Sequence, residues 1–520
     1  MTQHSTMRHK MLARIWLILV LFIPAWPAVA ADVEVSGGAA LVAAIAAAKP
    51  GDVLLLNPGS YDQLALDGTK DSRLSFEKMI TITAKDKSHP PVFGKIALRG
   101  VANITLSGLA LRYIYRPGDT VRGHGMSITD STLVTLKDMD IEGDNARNTQ
   151  SAADGFGFGI AISVLDSNHV RVDSNRIKTW HRGGVFANSH DLSITNNELQ
   201  DLRSDGLDFA GVTDVEVSGN HLHGFRRSPD SKDHPDMIQF WTRNTKLQTK
   251  NLMINGNFLD AGGGDWTQSI FMRNEEVDHG KAGREMYYEN VTIQDNVIRN
   301  AQLHGITVGE VDGLTISHNT IVQSASSKER GNVSVPLINI SKAALNVRIT
   351  NNIFPRISQS LKKAPADWIV EGNVTAQRDV PIRPDYVSNV FANALVSGEA
   401  RLSDLAILPD SDAAKMNAGS SLTAFSTHPR EDRLYVTSIK ESVSGDQRTF
   451  SVSGAFGKDG PFTLKGANIK WDFGDGQSGS GPSSKHTYAG FGSYVVTATV
   501  KLANGRTLST RYNIEVGMRE

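Results

Sequence analysis

Cysteine is absent from this sequence. Disulfide bonds are thereby excluded, and a chain that leaves the cytoplasm without them must be held by its own packing. An excess of either charge is absent too: 54 Lys and Arg stand against 55 Asp and Glu, a formal net charge of −1. Nucleic acid and anionic membrane surfaces are not the partners of such a balance. After the first 30 residues no stretch is apolar enough to cross a bilayer. No spacing of His and acidic residues is typical of a zinc site.

What is present begins with a leader. Arg8, Lys10 and Arg14 precede the apolar run IWLILVLFIPAWP, and Ala28-Val29-Ala30 supplies small residues for cleavage. The run is short for a membrane span and holds Pro24 and Pro27, so residues 1–30 are expected to be a signal peptide. Removing its three cations and no anions takes the net charge from −1 to −4. The mature protein is expected to be secreted or periplasmic and monomeric, with no membrane association after cleavage.

Next comes a helix candidate, Ala39 to Ala48, stopped by Lys49-Pro50-Gly51 and followed by the strand Val53–Leu56. From about residue 100 the chain repeats itself: NITLSGLAL, LVTLKDMDIEG, VRVDSNRIK, LSITNNEL, VEVSGNHL, LMINGNFL, VTIQDNVI, LTISHNTI and VRITNNIF. The turn asparagines Asn175, Asn197, Asn220, Asn257, Asn296, Asn319 and Asn352 fall 22, 23, 37, 39, 23 and 33 residues apart. Short alternating strands at a period near 22 predict the rungs of a right-handed parallel β-helix, with the N-terminal helix covering its open end. Leucine-rich repeats share the period but need Leu at fixed positions, where these units mix Val, Ile and Leu. Asn tolerates the left-handed conformation such turns need, and its amide can bond the Asn one rung away.

A second strand lies between the turns: GIAIS (159–163), GVFAN (184–188), GLDFA (206–210), MIQFW (237–241), SIFMR (269–273) and GITVG (305–309). Aligned on their first residues, one outward column reads Ala161, Phe186, Asp208, Gln239, Phe271, Thr307. Its neighbour reads Ser163, Asn188, Ala210, Trp241, Arg273, Gly309. Stacked roughly 4.8 Å apart, these columns would form a groove for a linear polymer. The two longest asparagine spacings carry Arg226–Asp236 and Asn274–Tyr288, and solenoid insertions cluster on the binding face.

After Phe354 the pattern fades, and the stretch to about 430 reads as last rungs and a linker. Residues 434–518 give short strands with turn signals, the pattern of a small Ig-like β-sandwich. Trp471-Asp472-Phe473-Gly474-Asp475-Gly476, His486-Thr487-Tyr488, Gly492 and Tyr494-Val495-Val496-Thr497 resemble the signature of PKD domains, which implies a spacer or carbohydrate-contacting module. Residues 31–430 are expected to form this β-helix, and about 31–425 of them, with the opening AAIAAAKPGDVLLLNPGSY and the Asn turns, resemble the pectate-lyase-like superfamily of right-handed parallel β-helices. That resemblance implies an all-β solenoid and activity on polysaccharides: lyases and carbon-5 epimerases of uronate polymers, or hydrolases.

Uronate chemistry needs a cation to neutralise the carboxylate and a base to take the carbon-5 proton. The stretch Arg226 to Asp236 offers both. The expected catalytic residues are His234 or Lys232 as base, Arg227 and Arg273 on the carboxylate, with Asp236 and Asp208. Gln239, Trp241, Asp205, His304, Asn188 and Asp233 are expected to bind substrate, Trp241 by stacking on a sugar face. Asp233-His234-Pro235-Asp236 is similar to the Asp-Pro-His-Asp motif of mannuronan epimerases, whose His is the base, with His and Pro exchanged. Other readings of the same residues stay open. Stacked aspartates could be the acid and base of an inverting glycosidase, could bind calcium, or could satisfy turn amides. His234 could merely staple its loop, and the whole helix could bind glycans without catalysis. The sequence requires no cofactor, and calcium is the one these readings admit.

Overall fold

The structure is a computed structural model of the full chain. It describes residues 30–423, apart from 229–230, 232, 262–266, 301, 325–334, 380–382 and 397. It also describes residues 435–516, apart from 437–438, 445–446, 453–454, 458–459 and 491. The expected signal peptide lies outside the described residues.

The main body is a right-handed parallel β-helix. Among the described residues, a sheet of 13 parallel strands runs from Asp32–Val35 to Ile369–Glu371, and a joined set of 20 strands makes the other two faces. Each rung climbs by one strand spacing, so residue i meets its counterpart a rung later: Val172 pairs with Ile194, Ile194 with Val217, Val217 with Ile254. Alternation sends those β-branched side chains inward, where they are at most 1% exposed. On the third face the inward residues Phe186, Phe209 and Phe240 stack with ring centroids 5.0 and 4.6 Å apart. The helix Gly38–Ala47 puts Leu41 and Ile45 against the first rung and closes the core there.

A column of asparagines ties the rungs together. Each side-chain amide donates to the next carboxamide oxygen at 2.9–3.0 Å, from Asn175 through Asn197, Asn220, Asn257, Asn296, Asn319 and Asn352 to Asn373. Each also donates to a strand carbonyl, as Asn257 does to Val217 at 2.8 Å. The left-handed residue of these turns is not the ladder asparagine but the residue before it, from φ +54° at His318 to +67° at Gly372. That corrects the role assigned from sequence: the ladder position is chosen for its amide, and the tolerance of positive φ is needed one residue earlier.

Two further differences have physical causes. First, the expected outward columns slip. Val185, not Phe186, pairs with Asp208, and Ser163, not Ala161, pairs with Val185. Ala187, not Asn188, pairs with Ala210. The doublet Gly183-Gly184 allows two alignments, and the backbone decides. A Cβ at Gly183 would sit 2.6 Å from the Gly206 carbonyl oxygen, and one at Gly206 2.3 Å from that of Met237, so the rung corner runs through Gly183. Second, residues 376–423 are not a plain linker. Tyr386, Val387, Val390, Phe391 and Leu395 bury themselves against Phe258, Val297, Val322, Ile353 and Val374 on the outer side of the second face. Those strand positions are apolar on both sides, a sign that something covers them.

Residues 435–516 form antiparallel sheets in the expected sandwich manner. Trp471 and Phe473 lie in its core with Phe450 and Val496. Trp471 donates its indole N–H to the Gly481 carbonyl, and Tyr488 its hydroxyl to that of Phe473, both at 2.9 Å. His486 bonds Asp475 at 2.7 Å.

Candidate active site

The third face carries the site. Its strands Arg182–Ala187, Leu207–Ala210, Asp236–Trp241, Gln268–Arg273 and His304–Val308 lie in order. Pairing places Asp208 beside Gln239, and Gln239 beside Phe271, which is followed by Thr307. Asp236 pairs with Gln268, and its amide donates to the Asp205 carboxylate at 3.1 Å.

Three carboxylates therefore meet on two neighbouring rungs, and water hardly reaches them: Asp205, Asp208 and Asp236 are 2%, 0% and 1% exposed. Alternation points Asp208 outward, yet it is buried, with Arg182 3.1 Å away. Arg182 holds Asp205 at 3.0 Å and is itself one-third exposed. Burial pushes the Asp208 carboxyl well above the usual carboxylate range, and the neighbouring Asp205 adds to this against the pull of Arg182. Asp236 is raised in the same way, first by burial and then by Asp205 and Asp208. Asp205 is also raised by burial, but it has more to hold its charge: Arg182, the Asp236 amide and His181. Neither oxygen of Asp208, nor one oxygen of Asp236, makes a hydrogen bond, the Arg182 guanidinium facing Asp208 as an ion pair only. One arginine between three buried acids leaves room for protons at neutral pH.

Beside this cluster is an oppositely tuned acid. Burial raises Asp233, but His181, Ser231 and Arg203 outweigh it and hold its carboxyl well below the usual range. Arg203 donates two bonds to it, at 3.2 and 2.9 Å.

The residues expected from sequence divide. Asp205, Asp208 and Asp236 come together, and Gln239 joins them by donating to Asp236 at 2.7 Å. Asp233 lies beside them through His181, 3.8 Å from Asp233 and acting also on Asp205. His234 is exposed on its loop, and Lys232 lies outside the described residues. Arg227 donates to the Ser231 carbonyl of its own loop at 2.9 Å. Arg273 is half-exposed and bound to Asp278 at 2.7 Å. Trp241 is half-buried in register with Arg273. His304 bonds Thr307 at 2.7 Å and meets the Phe271 ring edge-on at 5.0 Å. Asn188 lines a separate open cleft of about 470 Å³ with His190 and Asn244. Sequence reasoning missed His181, Arg182 and Arg203. The signal was there: HRGG occupies the same rung corner as RSDG, and a Gly183 alignment would have set Arg182 beside Asp205. Among the described residues, Asp205, Asp208 and Asp236 do not bring three donor atoms within 4.8 Å of one another.

Comparison with known proteins supports the fold. The model of the right handed beta helix region matches residues 95–251 and 160–354, and that of the PKD domain matches residues 435–516. Among solved structures, the Dettilon tailspike protein is 13% identical, with a TM-score of 0.45, 89% of this chain and 74% of that one covered. The A-module of a mannuronan C-5 epimerase from Azotobacter vinelandii is 13% identical, with a TM-score of 0.39 and coverage of 65% and 94%. A polygalacturonase from Erwinia carotovora is 11% identical, with a TM-score of 0.34 and coverage of 61% and 97%. No curated protein matches the chain.

Proposed function

The chain belongs to the family of right-handed β-helix proteins, and on that premise we propose that it is an exported polysaccharide-active enzyme that cleaves glycosidic bonds by acid–base catalysis at Asp205, Asp208 and Asp236. One observation carries this reading: three carboxylates at most 2% exposed share a single arginine, so at least one keeps its proton at neutral pH. Protonated carboxyls are what a glycosidic oxygen needs as it leaves. Asp208 or Asp236 gives its proton to that oxygen as the bond to the anomeric carbon breaks. Asp205, best supplied with positive partners, stays ionised and takes a proton from the attacking water. Arg182 and Gln239, the partly exposed groups that touch the cluster, mark where a sugar would meet it. Phe271 and Trp241 continue the same face as apolar ground for sugar rings.

The second reading is a lyase or carbon-5 epimerase acting on an anionic uronate polymer. In its favour, the loop bearing the exposed His234 lies against Arg182, whose charge Asp233 influences. A base and a cation thus share one edge. Against it, Arg227 and Arg273 are engaged elsewhere.

A panel of neutral and uronate polysaccharides separates the two. Hydrolysis gives new reducing ends with no unsaturated product absorbing in the ultraviolet, and Asp208→Asn and Asp236→Asn abolish it. An unsaturated product, or altered uronate stereochemistry, lost in His234→Ala but kept in Asp208→Asn, would replace it with the second reading.

A further inference from the structure

We propose that Glu198, His221 and His223 form a divalent transition-metal site on the second face of the solenoid, with Glu399 orienting it, independent of the chemistry on the third face.

Strand geometry builds the cluster. His221 and His223 flank the inward Leu222 on the strand His221–His223, so both imidazoles leave the same side of the sheet. Glu198 pairs with His221 on the preceding rung. Donor atoms of these three side chains all lie within 4.8 Å of one another, and no other group among the described residues meets that condition. The Nε2 of His223 lies 3.3 Å from Glu198, while its Nδ1 lies 3.2 Å from Glu399. A metal-binding histidine characteristically gives its second ring N–H to a carboxylate, which fixes the ring and strengthens the donor. Glu399 stands in that position, brought 176 residues along the chain by the segment that wraps this face. His223 is only 7% exposed, so the cluster is lodged between sheet and wrap rather than spread on a surface.

Two imidazoles and one carboxylate suit zinc and its neighbours rather than calcium or magnesium, which prefer oxygen alone. Tetrahedral zinc with bonds of about 2.0–2.1 Å needs donors roughly 3.3–3.5 Å apart. The 3.3 Å between His223 Nε2 and Glu198 already meets this, whereas the stacked rings of His221 and His223, 4.1 Å between centroids, must splay. Glu198 is 46% exposed and His221 half-buried, so both can turn without disturbing the core. Three protein ligands leave the fourth position to water. Because Glu399 belongs to the wrap, the metal would also tie the segment after residue 376 to the rungs.

The test uses the full chain without added histidine tags. Titration with Co²⁺ is expected to give one equivalent of binding with the intense visible bands of a tetrahedral ion, displaced by Zn²⁺. Glu198→Gln and His221→Gln should each abolish the bands. Neither side chain lies in the inner core, and circular dichroism checks that both variants keep the fold. Glu399→Gln should keep the stoichiometry and weaken affinity about 10–100-fold, as loss of an orienting carboxylate does. Absence of tetrahedral bands in the wild type, or bands that survive both Glu198→Gln and His221→Gln, would overturn the proposal. The cluster would then be an ion pair between His223 and two glutamates.

Discussion

At the scale of single residues, the acids of the third face differ by environment alone. Asp233 is held ionised by His181, Ser231 and Arg203, while neither oxygen of Asp208 makes a hydrogen bond. A raised carboxyl favours the folded state only while protonated. Its stabilising contribution is full below the unfolded value near 3.8 and is lost as pH rises through the higher folded value. The wild type should therefore lose thermal stability from about pH 4 upward more steeply than Asp208→Asn, which has no proton to lose. Melts of both proteins at pH 5 and pH 8 check this, and parallel pH dependences would count against a protonated Asp208. On activity, Asp208→Asn and Asp236→Asn should each lower turnover by about 10²–10⁴-fold, the usual contribution of a general acid or base, without changing the far-ultraviolet spectrum. The same protons set the direction of the rate profile: turnover should fall on the alkaline side as the acid ionises.

At the scale of elements, the asparagine ladder gives a graded prediction. Asn220 donates to Asn257 and to the Ile194 carbonyl, and accepts from the amides of Asn197. Asn220→Ala strands these buried partners, at about 1–3 kcal/mol for each group left unpaired. A fall of several kcal/mol in urea-unfolding free energy is expected. Asn373→Ala, at the half-buried last step, should cost less than Asn220→Ala. Equal losses would mean that the ladder does not carry the rungs in the middle of the helix.

Much of this scale was legible beforehand. The Val, Ile and Leu alternation and the asparagine spacing specify a β-helix because rung stacking repeats one local rule. The slip at Gly183-Gly184 shows where that legibility ends. Either glycine satisfies the pattern, and only the closeness of the next rung's carbonyl selects one. Arg182, beside Asp205, was hidden by the same slip. His221 and His223 went unnoticed for a related reason: a two-residue spacing looks like ordinary alternation until Glu198 and Glu399 are set beside it by the fold.

At the scale of the molecule, the wrap after residue 376 is pinned through one buried ion pair. Arg299 and Asp260 are 0% and 1% exposed and 2.9 Å apart, and Asp260 also accepts the Ala400 amide at 2.7 Å. Asp260→Asn leaves a buried guanidinium without its counter-charge, at about 3–5 kcal/mol. Limited proteolysis should then cut within residues 383–423 well before the rungs, whereas a wild-type cleavage pattern would show that apolar packing alone holds the segment. The polar, Ser- and Asp-rich sequence of this stretch gave no hint of the attachment, because its anchors are supplied by residues far back in the chain.

The asparagine column has a consequence for how such a molecule changes over time. Steps of 22 residues and of 39 residues end in the same 2.9 Å amide bond. The length of chain between two steps is thus invisible to the spine. Loops on the third face can be lengthened, shortened or exchanged without renegotiating the rungs beneath them. New specificity can then be tried at little risk to folding, and the novelty of such proteins should accumulate in the margin while the spine stays almost unedited.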